Sequence, residues 1–268
     1  MIATAEQLDR FDWNVAERWT DVSDVLQALG GRRFVRAPLR WSRSLESALW
    51  NSLRERTPLR IVILWGKGRK DWPDSYESRT ARFLAKYAKR VEAVWPAGIR
   101  YHVLFADTHA ALNGYTATES SRYFAAVRTV LGEQNTFGSL SCLWQKGELS
   151  WQAMEQKAGE IKGDEWNEVN EQLNLVAAAS RHSVSGKPER LARLYYVVRR
   201  AENRILANAF SGYLFATTEG PERSLVLPDL PVLHMFSWQR GRCAKPWNMA
   251  DETPAPIETA CELESCAA

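Results

Sequence analysis

The chain has 268 residues, 45% of them hydrophobic, which is enough to bury a full core in one domain. No stretch approaches the roughly eighteen consecutive apolar residues of a membrane span, and no basic N-terminal stretch leads into an apolar run, so a cytoplasmic protein without a membrane partner is expected. The net charge of +3 conceals an acidic tail over 250–268, whose Asp251, Glu252, Glu258, Glu262 and Glu264 leave the rest of the chain at about +8; that basic body suits phosphate esters or nucleic acid, and equally suits plain solubility.

In chain order, Val15, Trp19, Val22, Leu26 and Leu29 share one helical face over 14–29, and Gly30-Gly31 ends that helix. A second helix is expected from Ser44 as N-cap, with Leu45, Leu49 and Leu53 inward, stopping before Pro58. The run Ile61-Val62-Ile63-Leu64-Trp65 reads as a strand buried on both faces. Phe83, Leu84, Tyr87 and Val91 then mark a helix over 77–91, and Tyr101 to Ala106 a further strand, which together predict a parallel crossover unit of right hand. Thr116 and Glu119 have the spacing of a capping box at the head of the next helix. A strand is expected at Leu140 to Trp144, helix over 151–180, and a loop from Arg181 to Lys187. Pro188 suits the first turn of a long helix. Late strands are expected at 212–217 and 231–238, before a loosely attached tail over 250–268. The fold class that follows is α/β, a Rossmann-like parallel sheet flanked by helices with a helical C-terminal half, as a single domain over 1–249.

Ligands of open parallel sheets sit beyond the carboxyl ends of the strands. The first such end carries Gly66-Lys67-Gly68-Arg69-Lys70-Asp71, where two glycines permit unusual backbone angles and three cations await an anion, or where a basic turn is simply solvated. The second carries Asp107, Thr108 and His109, followed by Asn113: a carboxylate to orient an amine or act as general base, beside an imidazole that can shuttle protons, unless Asp107 merely caps the next turn. His102, inside its strand, reads as structural. Glu202 interrupts the apolar face of the long helix and needs a partner, for which a buried ion pair or the edge of the stripe is the plainer account. Arg193, Arg200 and Arg204, with Arg79, Arg82, Lys86 and Lys89 on the earlier helix, form basic rows that suit either solvent or a nucleic-acid backbone such as tRNA. Arg242 and Lys245, next to Trp247, are candidate contacts for an anionic or aromatic substrate. The cysteines Cys142, Cys243, Cys261 and Cys266 have no metal-binding spacing, so free thiols and no metal are expected.

The order of features from 61 to 131 resembles the isonitrile (isocyanide) synthase family related to pyoverdine and dityrosine biosynthesis proteins. The shared features are an apolar strand ending in a Lys-containing loop, an acidic residue leading into a helix, the turn Trp95-Pro96-Ala97-Gly98, a strand ending in Asp107, and Tyr123 and Arg128 on the following helix. Lys245-Pro246-Trp247-Asn248 resembles the family's late Pro-Trp segment. The resemblance implies a Rossmann-like fold, no cofactor or metal, and condensation of an amino acid's amine with the ketone of a pentulose phosphate. In that reading Lys67 holds phosphate or activates the carbonyl, and Asp107 orients the amine or moves protons. The family's Phe-Pro-x-Lys-Ser-Pro-Asn is replaced here by Trp65-Gly66-Lys67-Gly68-Arg69, and its Ser-Asp-Gly by Ala106-Asp107-Thr108.

Three other classes are compatible with parts of the sequence. An aminoacyl-tRNA-dependent transferase suits the basic rows, although its Gly-x-Ser motif is missing after the first strand; a methyltransferase is a further option; an RNA-binding or partner-binding module would use the arginines and the 12 tryptophans.

Overall fold

Branched side chains at Ile61, Val62 and Ile63 fit a pleated backbone, and Leu59–Trp65 forms β1, the central strand of a five-stranded sheet. The computed structural model describes residues 16–39, 42–184, 187–235 and 245–249. β1 is flanked by β2 (Ile99–Phe105), paired in parallel from Leu59 opposite Ile99 to Trp65 opposite Phe105, and by β4 (Leu214–Thr217), paired in parallel with Ile61 opposite Leu214. β3 (Thr136–Ser139) and β5 (Val232–His234) form the edges, giving the order β3-β2-β1-β4-β5 with every pairing parallel. The chain is thus α/β, with helices on both faces.

One face packs under α1 (Ala16–Leu29), α2 (Arg43–Glu55), α3 (Ser75–Glu92) and α5 (Ala117–Leu131), around Leu45, Leu49, Ile61, Tyr87, Val103 and Val127. The short helix α4 (Asp107–Leu112) follows β2 directly. The other face packs under α6 (Leu140–Lys146), α7 (Trp151–Glu160), α8 (Gly163–Leu173), α9 (Leu175–His182) and α10 (Pro188–Ala209), around Val62, Leu104, Trp144, Trp166, Val198 and Leu206. Alternate residues of β1 and β2 serve opposite cores, which is why both strands are apolar beyond their first residues apart from His102. At an order-of-magnitude rate of about 25 cal/mol per Å² of buried apolar surface, these two layers dominate the favourable side of folding.

Several sequence expectations are met. Thr116 and Glu119 cap α5 reciprocally, and Pro188 occupies the first turn of α10. Others are corrected. The strand expected at Leu140 to Trp144 is helix α6, because the Ser139 side chain caps it and Leu140 and Trp144, one turn apart, both reach the core; the strand lies just before it, at Thr136–Ser139. The N-cap of α2 is Ser42, which accepts from the Leu45 N–H, and not Ser44. The helical stretch over 151–180 is three helices, broken near Ile161 and at Asn174, whose backbone is left-handed. Arg181 and His182 end α9 instead of belonging to a loop. Arg242, part of the 231–238 strand call and the tail over 250–268 lie outside the described residues.

Candidate functional site

Beyond the carboxyl ends of β1, β2 and β4, the loops are held by buried charge. The order 3-2-1-4-5 places the reversal of connection between β1 and β4, the position at which open parallel sheets of this kind bind ligands.

Lys67, 4% exposed, turns its ammonium back onto its own loop. Its Nζ donates to the carbonyls of Gly68 (2.8 Å) and Lys70 (2.6 Å), stands 3.6 Å from Asp71, and lies over the rings of Tyr115 (4.7 Å) and Tyr123 (5.3 Å). Burial pulls its pKa below that of an ordinary lysine, against the opposing pull of Asp71. Lys67 therefore braces the loop and brings it against Tyr115, so the loops after β1 and β2 do converge. Gly66 and Gly68 are not at positive φ; they are small because Trp247 lies on them. A β-carbon on Gly66 would meet the Trp247 indole at 2.6 Å, and one on Gly68 would meet the Trp247 carbonyl. The expectation that these glycines supply special backbone angles is corrected: they supply room.

Lys70 and Tyr123 meet at one buried carboxylate. Glu77, fully buried, accepts from Lys70 Nζ (2.6 Å), from the Asp74 N–H (2.9 Å) and from the Tyr123 hydroxyl (2.6 Å). Burial raises the Glu77 pKa, and these three donors oppose the rise without cancelling it. Nothing in the sequence pattern singles out Glu77 beyond its place in a capping box with Asp74.

Asp107 and His109 diverge. Asp107 accepts from the backbone N–H of Ser141 (2.9 Å) and from its hydroxyl, on the β3 side. His109 turns toward α10, where its Nε2 is 2.6 Å from Glu202 Oε2. The partner that Glu202 requires is thus this imidazole, joined by Thr108, Trp144 and, at 3.8 Å, Arg199. Burial would push the Glu202 carboxyl up, but His109, Arg199 and Thr108 outweigh it and hold it below its ordinary value. His102, inside β2, is hydrogen-bonded through Nδ1 to the Thr136 hydroxyl of β3 (2.9 Å).

A groove of about 640 Å³ opens at the ends of β2 and β3. Phe105, Phe124 and Trp151 give it an aromatic lining, with Asp107 and Arg128 among its walls. Tyr115 and Ser120 also line it, with their hydroxyls buried and without a hydrogen-bond partner among the described residues. Beyond Tyr115 lie cations: burial raises the pKa of its phenol, and the charge of Arg69 opposes that rise. His182 is held below its usual pKa by burial and by the charges of Lys245, Arg181 and Arg69, which places these groups around one another. Lys245 is bonded to Glu219 (2.8 Å), just past β4. Asn113 contributes its carbonyl to the Val184 N–H and stands outside the groove lining. Among the described residues no group of His, Cys, Asp and Glu could hold a metal ion.

The basic rows are partly engaged. Arg193 is paired with Glu189 and lies over Trp166, whereas Arg79, Arg82, Lys86 and Lys89 on α3 and Arg200 and Arg204 on α10 are exposed. No helix among the described residues is long and apolar enough to cross a membrane.

No family model matches the chain, and no curated protein matches it by sequence. Solved structures do match. The crystal structure of the PvcA protein from Pseudomonas aeruginosa superposes with a TM-score of 0.57 over 85% of this chain and 87% of that one, at 15% identity. At that identity the likeness is one of fold: the chain is similar to PvcA in its parallel sheet and the helices that flank it.

Proposed function

We propose that the chain is a biosynthetic enzyme of the isonitrile-synthase type, which joins the amine of an amino acid to the ketone of a phosphorylated sugar. The observation that carries this reading is the groove at the ends of β2 and β3, where a carboxylate, Asp107, and a guanidinium, Arg128, line one aromatic cavity. A free amino acid is a zwitterion, so one group suits its ammonium and the other its carboxylate, while Phe105, Phe124 and Trp151 suit an apolar side chain. The phosphate-bearing partner enters from the side of Tyr115, toward the exposed Arg69, with Lys67 bracing the loop between them. The sequence resemblance over 61–131 and the fold shared with PvcA support the same reading from different directions.

Binding of a panel of amino acids, followed by calorimetry, tests it. An apolar or aromatic amino acid is expected to bind, with affinity lost at least tenfold in Asp107→Asn and in Arg128→Ala. Mass spectrometry of cells expressing the chain and fed labelled amino acids should reveal an isonitrile. Binding of tRNA that weakens steeply with salt, and is abolished by charge reversal on α3, would instead favour the tRNA-dependent transferase.

A further inference from the structure

Four polar residues line the groove at the ends of β2 and β3: Asp107 and Thr108, which open α4, and Ser139 and Ser141 at the head of α6. The direction of their hydrogen bonds is fixed. Asp107 Oδ1 accepts from the backbone N–H groups of Thr108 (3.1 Å) and Ser141 (2.9 Å), and Oδ2 accepts from the Ser141 hydroxyl. Ser139 and Ser141 face each other with 3.0 Å between their Oγ atoms. A carboxylate has no proton to give, so the Ser141 hydrogen goes to Asp107, and the hydrogen between the two serines belongs to Ser139. Ser139 Oγ also accepts from the Cys142 N–H (3.3 Å), and Thr108 donates to the buried Glu202 (2.8 Å), which is not part of the groove. The hydroxyl hydrogens of all three are therefore committed inside the protein, while Asp107 Oδ2 and the Oγ atoms of Ser139 and Ser141 each keep accepting capacity. The α5 side of the lining is the reverse. Arg128, held over the Phe137 ring at 5.1 Å, can only donate, and the Ser120 hydroxyl is uncommitted among the described residues.

We infer that Ser139 and Ser141 are specificity-determining residues: with Asp107 they form a wall that only accepts hydrogen bonds, which selects a primary ammonium over any group that carries lone pairs of its own. The inference rests on the groove being the amino-acid site of the proposed condensation, and adds how an amine is told from its oxygen analogues. A primary ammonium brings three hydrogens and no lone pair, and it meets three acceptors, Asp107 Oδ2, Ser141 Oγ and Ser139 Oγ. The keto acid of the same skeleton brings lone pairs alone, and the hydroxy acid brings two with a single hydrogen. Either sets oxygen against oxygen unless a serine hydrogen leaves its present partner, which then loses a bond. Ser141 makes the wall rigid, because its N–H and its hydroxyl grip the two carboxylate oxygens of Asp107 separately.

Calorimetry with probes of one skeleton tests it: phenylalanine, N-methylphenylalanine, phenyllactate and phenylpyruvate. The wild type is expected to bind phenylalanine at least about 10²-fold more tightly than phenyllactate or phenylpyruvate, with N-methylphenylalanine, one hydrogen short, between them. The charge of Asp107 alone favours an ammonium, so the ratio in Ser141→Ala decides the role of the serines. That variant frees the Ser139 hydrogen to turn toward a guest oxygen and should lower the ratio of phenylalanine to phenyllactate affinity about tenfold. A merely structural role for Ser141 would weaken all the probes alike and leave the ratio where it was. Ser139→Thr, which keeps a hydroxyl at the cap of α6, should preserve the wild-type ratio. Phenyllactate bound by the wild type within about threefold of phenylalanine overturns the inference without any variant having to fold, as does a wild type that binds none of the probes. An unchanged ratio in Ser141→Ala overturns it too. Selective binding of phenylalanine, lost as expected in Ser141→Ala, by a chain that makes no isonitrile upholds the wall and removes the reaction; isonitrile formation with flat ratios removes the wall and leaves the reaction.

Discussion

The Trp247 carbonyl lies directly over Gly68, and its indole covers Gly66, so one residue near the end of the chain occupies the space of two missing β-carbons in the loop after β1. The two contacts differ in kind. Gly66 meets a side chain, and Gly68 meets backbone as well as the Asn248 side chain. Gly66→Ala should therefore destabilise by about 1–3 kcal/mol, as overpacking does, and Trp247→Ala should relieve that cost in the double variant. Gly68→Ala should cost as much or more and gain no relief from Trp247→Ala. Urea melts of the three single and two double variants read the pattern, and equal relief at both glycines would contradict it.

Glu219 and Lys245 predict a specific acid sensitivity. Burial would raise the Glu219 carboxyl, but Lys245 and Arg199 outweigh it and bring its pKa down to about 2 from an ordinary 4.5. An acid whose folded pKa is depressed contributes stability that is complete above its unfolded pKa and is lost as pH falls through the folded one. The contribution should thus be full above about pH 4.5 and fade toward about pH 2. Lys245→Met should remove part of it, about 1–2 kcal/mol at pH 7 given that the lysine side chain is 35% exposed, and should flatten the acid limb of a stability–pH profile. An acid limb identical to that of the wild type would exclude the pair as its source.

The network around Glu77 should show strong coupling. Tyr123→Phe removes one hydrogen bond to the buried carboxylate, at a cost of about 1–2 kcal/mol. Lys70→Met removes the cation from a carboxylate that has no exposure of its own, and should cost about 3–5 kcal/mol. Adding Glu77→Leu to Lys70→Met should recover stability, because the group left unpaired is gone. Additive losses in this double-mutant cycle would show that the two side chains act independently.

Local chemistry was legible in the sequence where the signal lay within one turn of backbone. Thr116 with Glu119 and Pro188 are such cases, as is the branched run from Ile61. The strand misplaced at Leu140 shows the limit of pattern: an apolar run of five residues suits either period, and the Ser139 hydroxyl bonded to the Cys142 N–H decided for helix. For the site, the need of Glu202 for a partner was readable from its place on an apolar stripe. Which partner was not, because His109 is brought to it by two separate elements meeting above the sheet. The same holds for Trp247 on Gly66 and for Tyr123 on Glu77: each is a contact between distant segments that leaves no periodic trace in either.

The pairing of β1 with β4 has a consequence for the order in which the chain assembles. β2 can join β1 soon after both emerge from the ribosome, whereas β4 closes the opposite side of β1 only after all of α5 to α10 has been made. Glu202 and Tyr195 arrive with α10, so the imidazole of His109 has no carboxylate to orient it until then. Long-range parallel pairing is slow, and here the slow step is the one that brings the buried Glu202 to His109, Thr108 and Trp144.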